Sequence, residues 1–213
     1  MQNKKIVILS IALLVGLFFI GGYFYKNSAS NSVQGVTSEQ SQYLQRDYSV
    51  VIGPSDAKVT LVEFFDPACG TCAQYHYYVK DILKKHKDDV KLVLRYASFH
   101  PNSNFAVKML EGAREQNLFM PTLEFMLNTQ NQWIDGHTVN PRKLWSLLPN
   151  IKDLDMKMLA KSMENIIYDN IVEQDLNDAR ALNVRKTPSY FVNGKPLKEF
   201  GIDNLIKLIE SEL

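Results

Sequence analysis

The chain has 213 residues, 46% hydrophobic and 22% charged, with a formal net charge of +1 at pH 7, a globular composition rather than a disordered one. Without Lys4, Lys5 and Lys26, the 24 basic residues fall to 21 against 23 acidic ones, a balance that argues against a nucleic-acid surface. Two cysteines are too few for a disulfide scaffold in so long a chain, so a hydrophobic core must hold the fold.

Lys4 and Lys5 precede residues 6–25, which carry no charge. Twenty such residues suffice to span a bilayer as a helix. The lysine pair predicts a cytoplasmic N-terminus, and Tyr23 and Tyr25 fit an interfacial belt on the far side. Residues 1–26 are therefore expected to be one transmembrane anchor or a signal segment. The run exceeds the roughly 7–15 apolar residues of a signal peptide, which favours an anchor. The small residues Ser28-Ala29-Ser30 keep cleavage open. An anchor gives a single-pass protein of the cytoplasmic membrane, with its C-terminal domain in the periplasm or outside the cell. Cleavage gives a soluble periplasmic or secreted one. In either place a disulfide persists.

Residues 27–46, rich in Ser, Asn, Gln and Thr, read as a flexible linker. No heptad pattern supports a coiled-coil stalk there, so a monomer is expected. The globular domain is predicted over 47–213. A short strand over 48–52 ends at Gly53-Pro54, and 59–65 is a strand apolar enough on both faces to be central. Residues 69–87 read as a helix and 90–96 as a third strand. Strand, helix, strand favours a parallel pair with a right-handed crossover. Residues 101–182 read almost wholly as helix, with segments at 105–116, 121–127 and 141–148, then a long pattern over 154–182. Trp133 and Trp145 are expected in the core of this insertion. Residues 189–192 form a strand, Asn193-Gly194 signals a hairpin, 195–198 begins the return, and Asp203 is expected to cap a last helix. The fold class is α/β.

Cys69-Gly70-Thr71-Cys72 follows the central strand and opens the first helix. Thiols at i and i+3 lie on one helical face, close enough to bridge. The first stands at the helix N-terminus, where unpaired N–H groups favour a thiolate; the second, one turn deeper, is more shielded. A purely structural disulfide gains little from so short a loop. A zinc site would take His76 as a third ligand, yet no second C-x-x-C and no H-x-x-x-H completes it.

These residues, with Val62-Glu63-Phe64-Phe65-Asp66 before them, the helical insertion, and Lys186-Thr187-Pro188-Ser189-Tyr190-Phe191-Val192-Asn193-Gly194-Lys195 after it, resemble the DsbA-like thiol:disulfide oxidoreductases of the thioredoxin superfamily. Phe99-His100-Pro101-Asn102-Ser103 also resembles a membrane-anchored or exported subset. The resemblance implies a thioredoxin-like fold, Cys69 as nucleophile and Cys72 as resolving thiol, acting through a mixed disulfide. It places Glu63 at the family's buried acid, a proton relay for Cys72; an edge residue facing solvent is the alternative. It makes Thr187-Pro188 a cis-proline loop that packs against the pair and binds substrate peptide as an added strand.

The resemblance implies no bound cofactor. It implies exported protein substrates and a membrane redox partner. Gly70 and Thr71 depart from the Pro-His dipeptide of strongly oxidising members, leaving oxidant, reductase and isomerase open. His76, four residues after Cys72, is a candidate modulator of the pair. His100 and His137 read as surface residues or caps. A non-catalytic peptide-binding or chaperone module on the same fold is the reading from another class, against which the intact pair counts.

Overall fold

The computed structural model describes residues 13–16, 20 and 35–213. Residues 13–16 and 20 are helical, and the rest of the expected anchor lies outside the described residues. No helix of the described residues is long and apolar enough to cross a membrane. Residues 35–213 form one compact unit.

Strands β1 (Val50–Ile52), β2 (Val59–Phe65), β3 (Val90–Tyr96), β6 (Ser189–Val192) and β7 (Lys195–Pro196) build a sheet in the order β1-β3-β2-β6-β7. β2 and β3 are parallel and all other neighbours antiparallel. β2 is central and buried along nearly its whole length, as its two-faced apolar sequence requires. Helix α2 (Gly70–Lys85) is the crossover between β2 and β3. Asn193 and Gly194 turn the chain from β6 to β7 with φ of 46° and 78°, the left-handed pair that a tight hairpin demands.

Between β3 and β6 lies the helical insertion: α3 (Ser103–Arg114), α4 (Phe119–Asn128), α5 (Gln130–Trp133), α6 (Pro141–Leu147), α7 (Met156–Ser162) and α8 (Ile166–Ala181). The long pattern over 154–182 resolves into α7 and α8, each with a side-chain cap, Asp155 and Asn165 respectively. A small hairpin, β4 (Ile134–Asp135) with β5 (Thr138–Val139), interrupts the helices. Two residues per strand are too few to show alternation. Trp133 is fully buried and donates Nε1–H to the Met126 carbonyl at 3.1 Å; Trp145 is partly buried against the same core.

The sheet separates two apolar layers. One face packs Leu61, Phe65, Leu94 and Tyr190 against α2, the insertion and the last helix, α9 (Ile202–Glu210). The other packs Val62, Phe64, Val93 and Phe191 against Ala179, Leu182 and Val184, at and after the end of α8.

Two local expectations change. The N-cap of α9 is Gly201, and Asp203 stands in the first turn, where it still complements the helix dipole. The expected tether docks at its C-terminal end. Helix α1 (Ser38–Ser41) starts in a reciprocal capping box between Thr37 and Gln40, Leu44 is buried, and Arg46 forms two hydrogen bonds to Asp178 on α8, at 2.8 and 2.6 Å.

Candidate active site

β2 ends at Phe65, and Asp66-Pro67-Ala68 leads to Cys69, the N-cap of α2. The turn is held by the Cys69 N–H donating to the Asp66 carbonyl at 2.9 Å. As a cap, Cys69 Sγ accepts from the Cys72 N–H at 3.4 Å. Both thiols are free and buried, Cys69 at 6% exposure and Cys72 at 2%. Gly70 and Thr71 are exposed between them.

The two thiols are electrostatically unlike. The Cys69 thiol is pulled down to about 6, first by its hydrogen bond with the Cys72 side chain and further by the N–H groups of Cys72 and Thr71, against the opposing effect of burial. The Cys72 thiol is pushed well up, first by burial and then by the neighbouring Cys69. At pH 7 a group with a pKa near 6 is about 90% ionised. The reduced pair is therefore one thiolate and one thiol, and the thiolate is the nucleophile of disulfide exchange.

Glu63 is buried in β2, with Leu94 and Tyr190 as its cross-strand partners. An edge position facing solvent is thereby excluded. Its one side-chain hydrogen-bond partner among the described residues is the Tyr190 hydroxyl, which donates to Oε1 at 3.2 Å. Burial raises the Glu63 carboxyl to about 7; the Tyr190 bond opposes the rise and the Cys69 charge adds to it. An acid poised near neutrality beside a high-pKa thiol is chemically suited to moving that thiol's proton.

The Thr187–Pro188 peptide bond is cis. Cys69 Sγ lies 3.2 Å from the Thr187 carbonyl oxygen, so this loop and the cysteine pair meet. His76 does not join them. It faces α4, with Nε2 3.7 Å from Glu124 Oε1, and burial lowers its pKa. Among the described residues no three His, Cys, Asp or Glu side chains converge on one point.

A second cluster forms around Asp66, a residue to which sequence reasoning assigns no role. This carboxylate is fully buried. It accepts from the Ala68 N–H at 2.9 Å, from the His100 N–H at 2.9 Å and Nδ1 at 2.8 Å, and from Ser103 Oγ. His100 is thus neither a simple surface residue nor a cap. His100 also lines a cleft of about 320 Å³ with Ala68, Gly70, Gln130 and His137. Gln130 donates to the carbonyls of Pro67 and Cys69 at 2.8 and 3.1 Å, fixing the cleft against the cysteine turn. The pairing of Asp66 with His100 spans 34 residues, and only the Phe-His-Pro-Asn-Ser resemblance pointed to that stretch.

A reactive cysteine capping the helix after a central strand, a shielded partner one turn on, and the carbonyl of the residue before a cis-proline against the first sulfur describe a redox domain of the thioredoxin class. Comparison with known proteins agrees. A family model described as thioredoxin matches residues 45–211. The disulfide bond formation protein D of Bacillus subtilis is 27% identical over 174 residues, covering 76% of each chain. The crystal structure of oxidised BdbD from Bacillus subtilis superposes with a TM-score of 0.65 at 26% identity, covering 77% of this chain and 92% of that one. The Na(+)/H(+) antiporter NhaA of Herminiimonas arsenicoxydans is 30% identical over 146 residues, 68% of this chain, but the match spans only 22% of the antiporter's length. The chain belongs to the thioredoxin family, and within it is similar to disulfide bond formation protein D and BdbD.

Proposed function

We propose that this protein transfers a disulfide from Cys69–Cys72 to exported protein substrates and is reoxidised by a membrane partner. The observation that carries this reading is the asymmetry of the pair: an acidic thiol at the helix cap and a shielded, high-pKa thiol beneath it. A stabilised Cys69 thiolate favours the reduced form of the pair, which makes the disulfide a ready donor. Cys69 is the sulfur attacked by substrate, Cys72 the leaving and resolving sulfur, and Glu63 the group that supplies and accepts the Cys72 proton. The Thr187-Pro188 loop offers its backbone to substrate peptide beside Cys69, and Gly70 and Thr71 set how open that turn is. Residues 6–25 hold the domain at the membrane as an uncleaved anchor.

A reductase or isomerase role is the second reading, and one observation favours it. The Cys69 thiol lies at about 6, above the roughly 3.5 of a strong oxidant and nearer the roughly 7 of thioredoxin. Equilibrating the pair against glutathione buffers decides between the readings. A reduction potential near or above about −150 mV establishes a donor, and one near or below about −230 mV a reductant. A pair that no such buffer reduces would be structural and would remove both.

A further inference from the structure

The first step of exchange in the donor direction needs two protons handled. One belongs to Cys72, on the inner side of the pair, where Glu63 lies. The other belongs to the incoming substrate thiol, and Glu63, buried in the sheet, cannot meet it. We propose that His100, held by Asp66, is the base that takes the substrate's proton. This rests on the exchange reading above.

The geometry is that of a carboxylate–imidazole dyad. The Asp66 carboxylate is fully buried and fixed by two backbone N–H groups. It accepts from His100 Nδ1 at 2.8 Å, which assigns that nitrogen its proton and leaves Nε2 as the basic one. Nε2 has no hydrogen-bond partner among the described residues, and the His100 side chain is 24% exposed. The cleft it lines also contains Ala68 and Gly70, the two neighbours of Cys69. A substrate cysteine approaching Cys69 on the Gly70 side enters the cleft that contains this imidazole. Asp66 serves both loops, so dyad and cysteine turn keep their spacing.

The step balances with groups present. The substrate S–H gives its proton to His100 Nε2, and the resulting thiolate attacks Cys69 Sγ. A substrate–Cys69 bond forms as the Cys69–Cys72 bond breaks. The electron pair leaves on Cys72 Sγ, which takes the proton held by Glu63. A second substrate thiol then gives its proton to water, and its thiolate attacks the substrate sulfur of the mixed disulfide, closing the substrate disulfide and releasing the Cys69 thiolate. The substrate loses two electrons and the pair gains them, while the imidazolium returns its proton to water.

Magnitude limits the effect. A substrate thiol of pKa near 8.5 is about 3% ionised at pH 7, so full deprotonation gains at most roughly 30-fold. The charged and titratable groups bordering His100 are Asp66, His137 on the β4–β5 turn, and Asp169, Glu173 and Arg180 on α8.

The test uses the oxidised full chain, a dithiol peptide, and second-order rates from pH 6 to 9.5. The variants are His100→Asn, whose amide keeps a donor for Asp66, and Cys69→Ser as background. The expected result is a deficit of about 3- to 10-fold at pH 7 that closes by pH 9.5, where the peptide ionises unaided. The pH profile of Cys69 alkylation in the reduced protein should not move. Equal rates at every pH, a deficit constant across pH, or a displaced alkylation profile would each overturn the assignment. A wild-type rate no faster than that of Cys69→Ser would remove the exchange reading itself, and this inference with it.

Discussion

Two buried charge clusters occupy opposite faces of one sheet, and they are built on opposite principles. On the face of β3 that carries Arg95, the guanidinium is fully buried and donates to Asp175 Oδ1 at 2.7 Å and to Asp178 Oδ2 at 2.6 Å. Asp175 also accepts from the Tyr48 hydroxyl at 2.6 Å and the Tyr96 N–H at 2.7 Å, and Asp178 from Arg46. The carboxylates' oxygens are occupied on every side. On the other face Glu63 has, among the described residues, the Tyr190 hydroxyl alone. Burial raises Glu63 to about 7, whereas Asp178 is lowered by its bonds to Arg46 and Arg95 despite opposing burial. A saturated cluster holds its charge fixed and joins segments; an undersatisfied one keeps a proton that can move.

The sharpest way to break this contrast is to unpair the saturated side. Arg95→Met leaves Asp175 and Asp178 buried with less compensation, and should cost about 3–5 kcal/mol of stability in urea unfolding. It should also release the 36–46 segment, seen as faster proteolysis there, because Arg95 Nη1 donates to the Tyr43 carbonyl. The folded fraction should retain its exchange rate. A variant as stable as wild type would show that the cluster is a bystander.

Glu63→Gln sharpens the other side and should move both readouts. Exchange should slow by about 10²-fold, the lower range of what a positioned acid–base contributes. Stability should change with pH in a defined direction. The folded pKa of about 7 lies above the ordinary 4.5. The folded state therefore binds more protons than the unfolded one between those values, and stability falls as pH rises through that window. The wild type carries this loss in full above pH 7; Gln cannot ionise and avoids it. The variant should equal wild type near pH 4 and exceed it at pH 8 by up to about 3 kcal/mol. A variant less stable at both pH values would mean that Glu63 is a structural acid.

The same contrast explains what the sequence made legible. β2, β3, α2 and the insertion helices were readable because period and turn residues are local signals, and Asn193-Gly194 specifies its hairpin within two positions. Cys69, Cys72, Glu63 and Thr187-Pro188 were named because they stand in short strings that resemble a family. The Arg95 cluster was not legible: its acids are 80 and 83 residues away, and a cationic residue in a strand gives no hint that it is buried. Docking of 36–46 depends on the same cluster, so its polar composition read as a tether. Asp66 and His100 stand in separate strings, and only the fold closes the 34-residue gap between them.

The smallest expected effect belongs to His76, where sequence spacing and structure part. Four residues after Cys72, it stands one turn along α2, which suggested an influence on the pair. The structure turns its ring to Glu124 on α4, a carboxylate that also bonds Lys80 at 2.6 Å. Burial lowers the His76 pKa, so at pH 7 the ring is neutral and offers Cys69 no full charge. His76→Gln should therefore leave the exchange rate within about twofold, and the reduction potential within about 30 mV, the equivalent of roughly 1.4 kcal/mol for a two-electron couple. The α2–α4 contact should weaken by less than about 1 kcal/mol, since one partner in it, Glu124, is partly exposed. A larger shift in potential would make His76 an electrostatic partner of the pair acting through the helix, and would place a third titrating group beside Cys69 and Glu63.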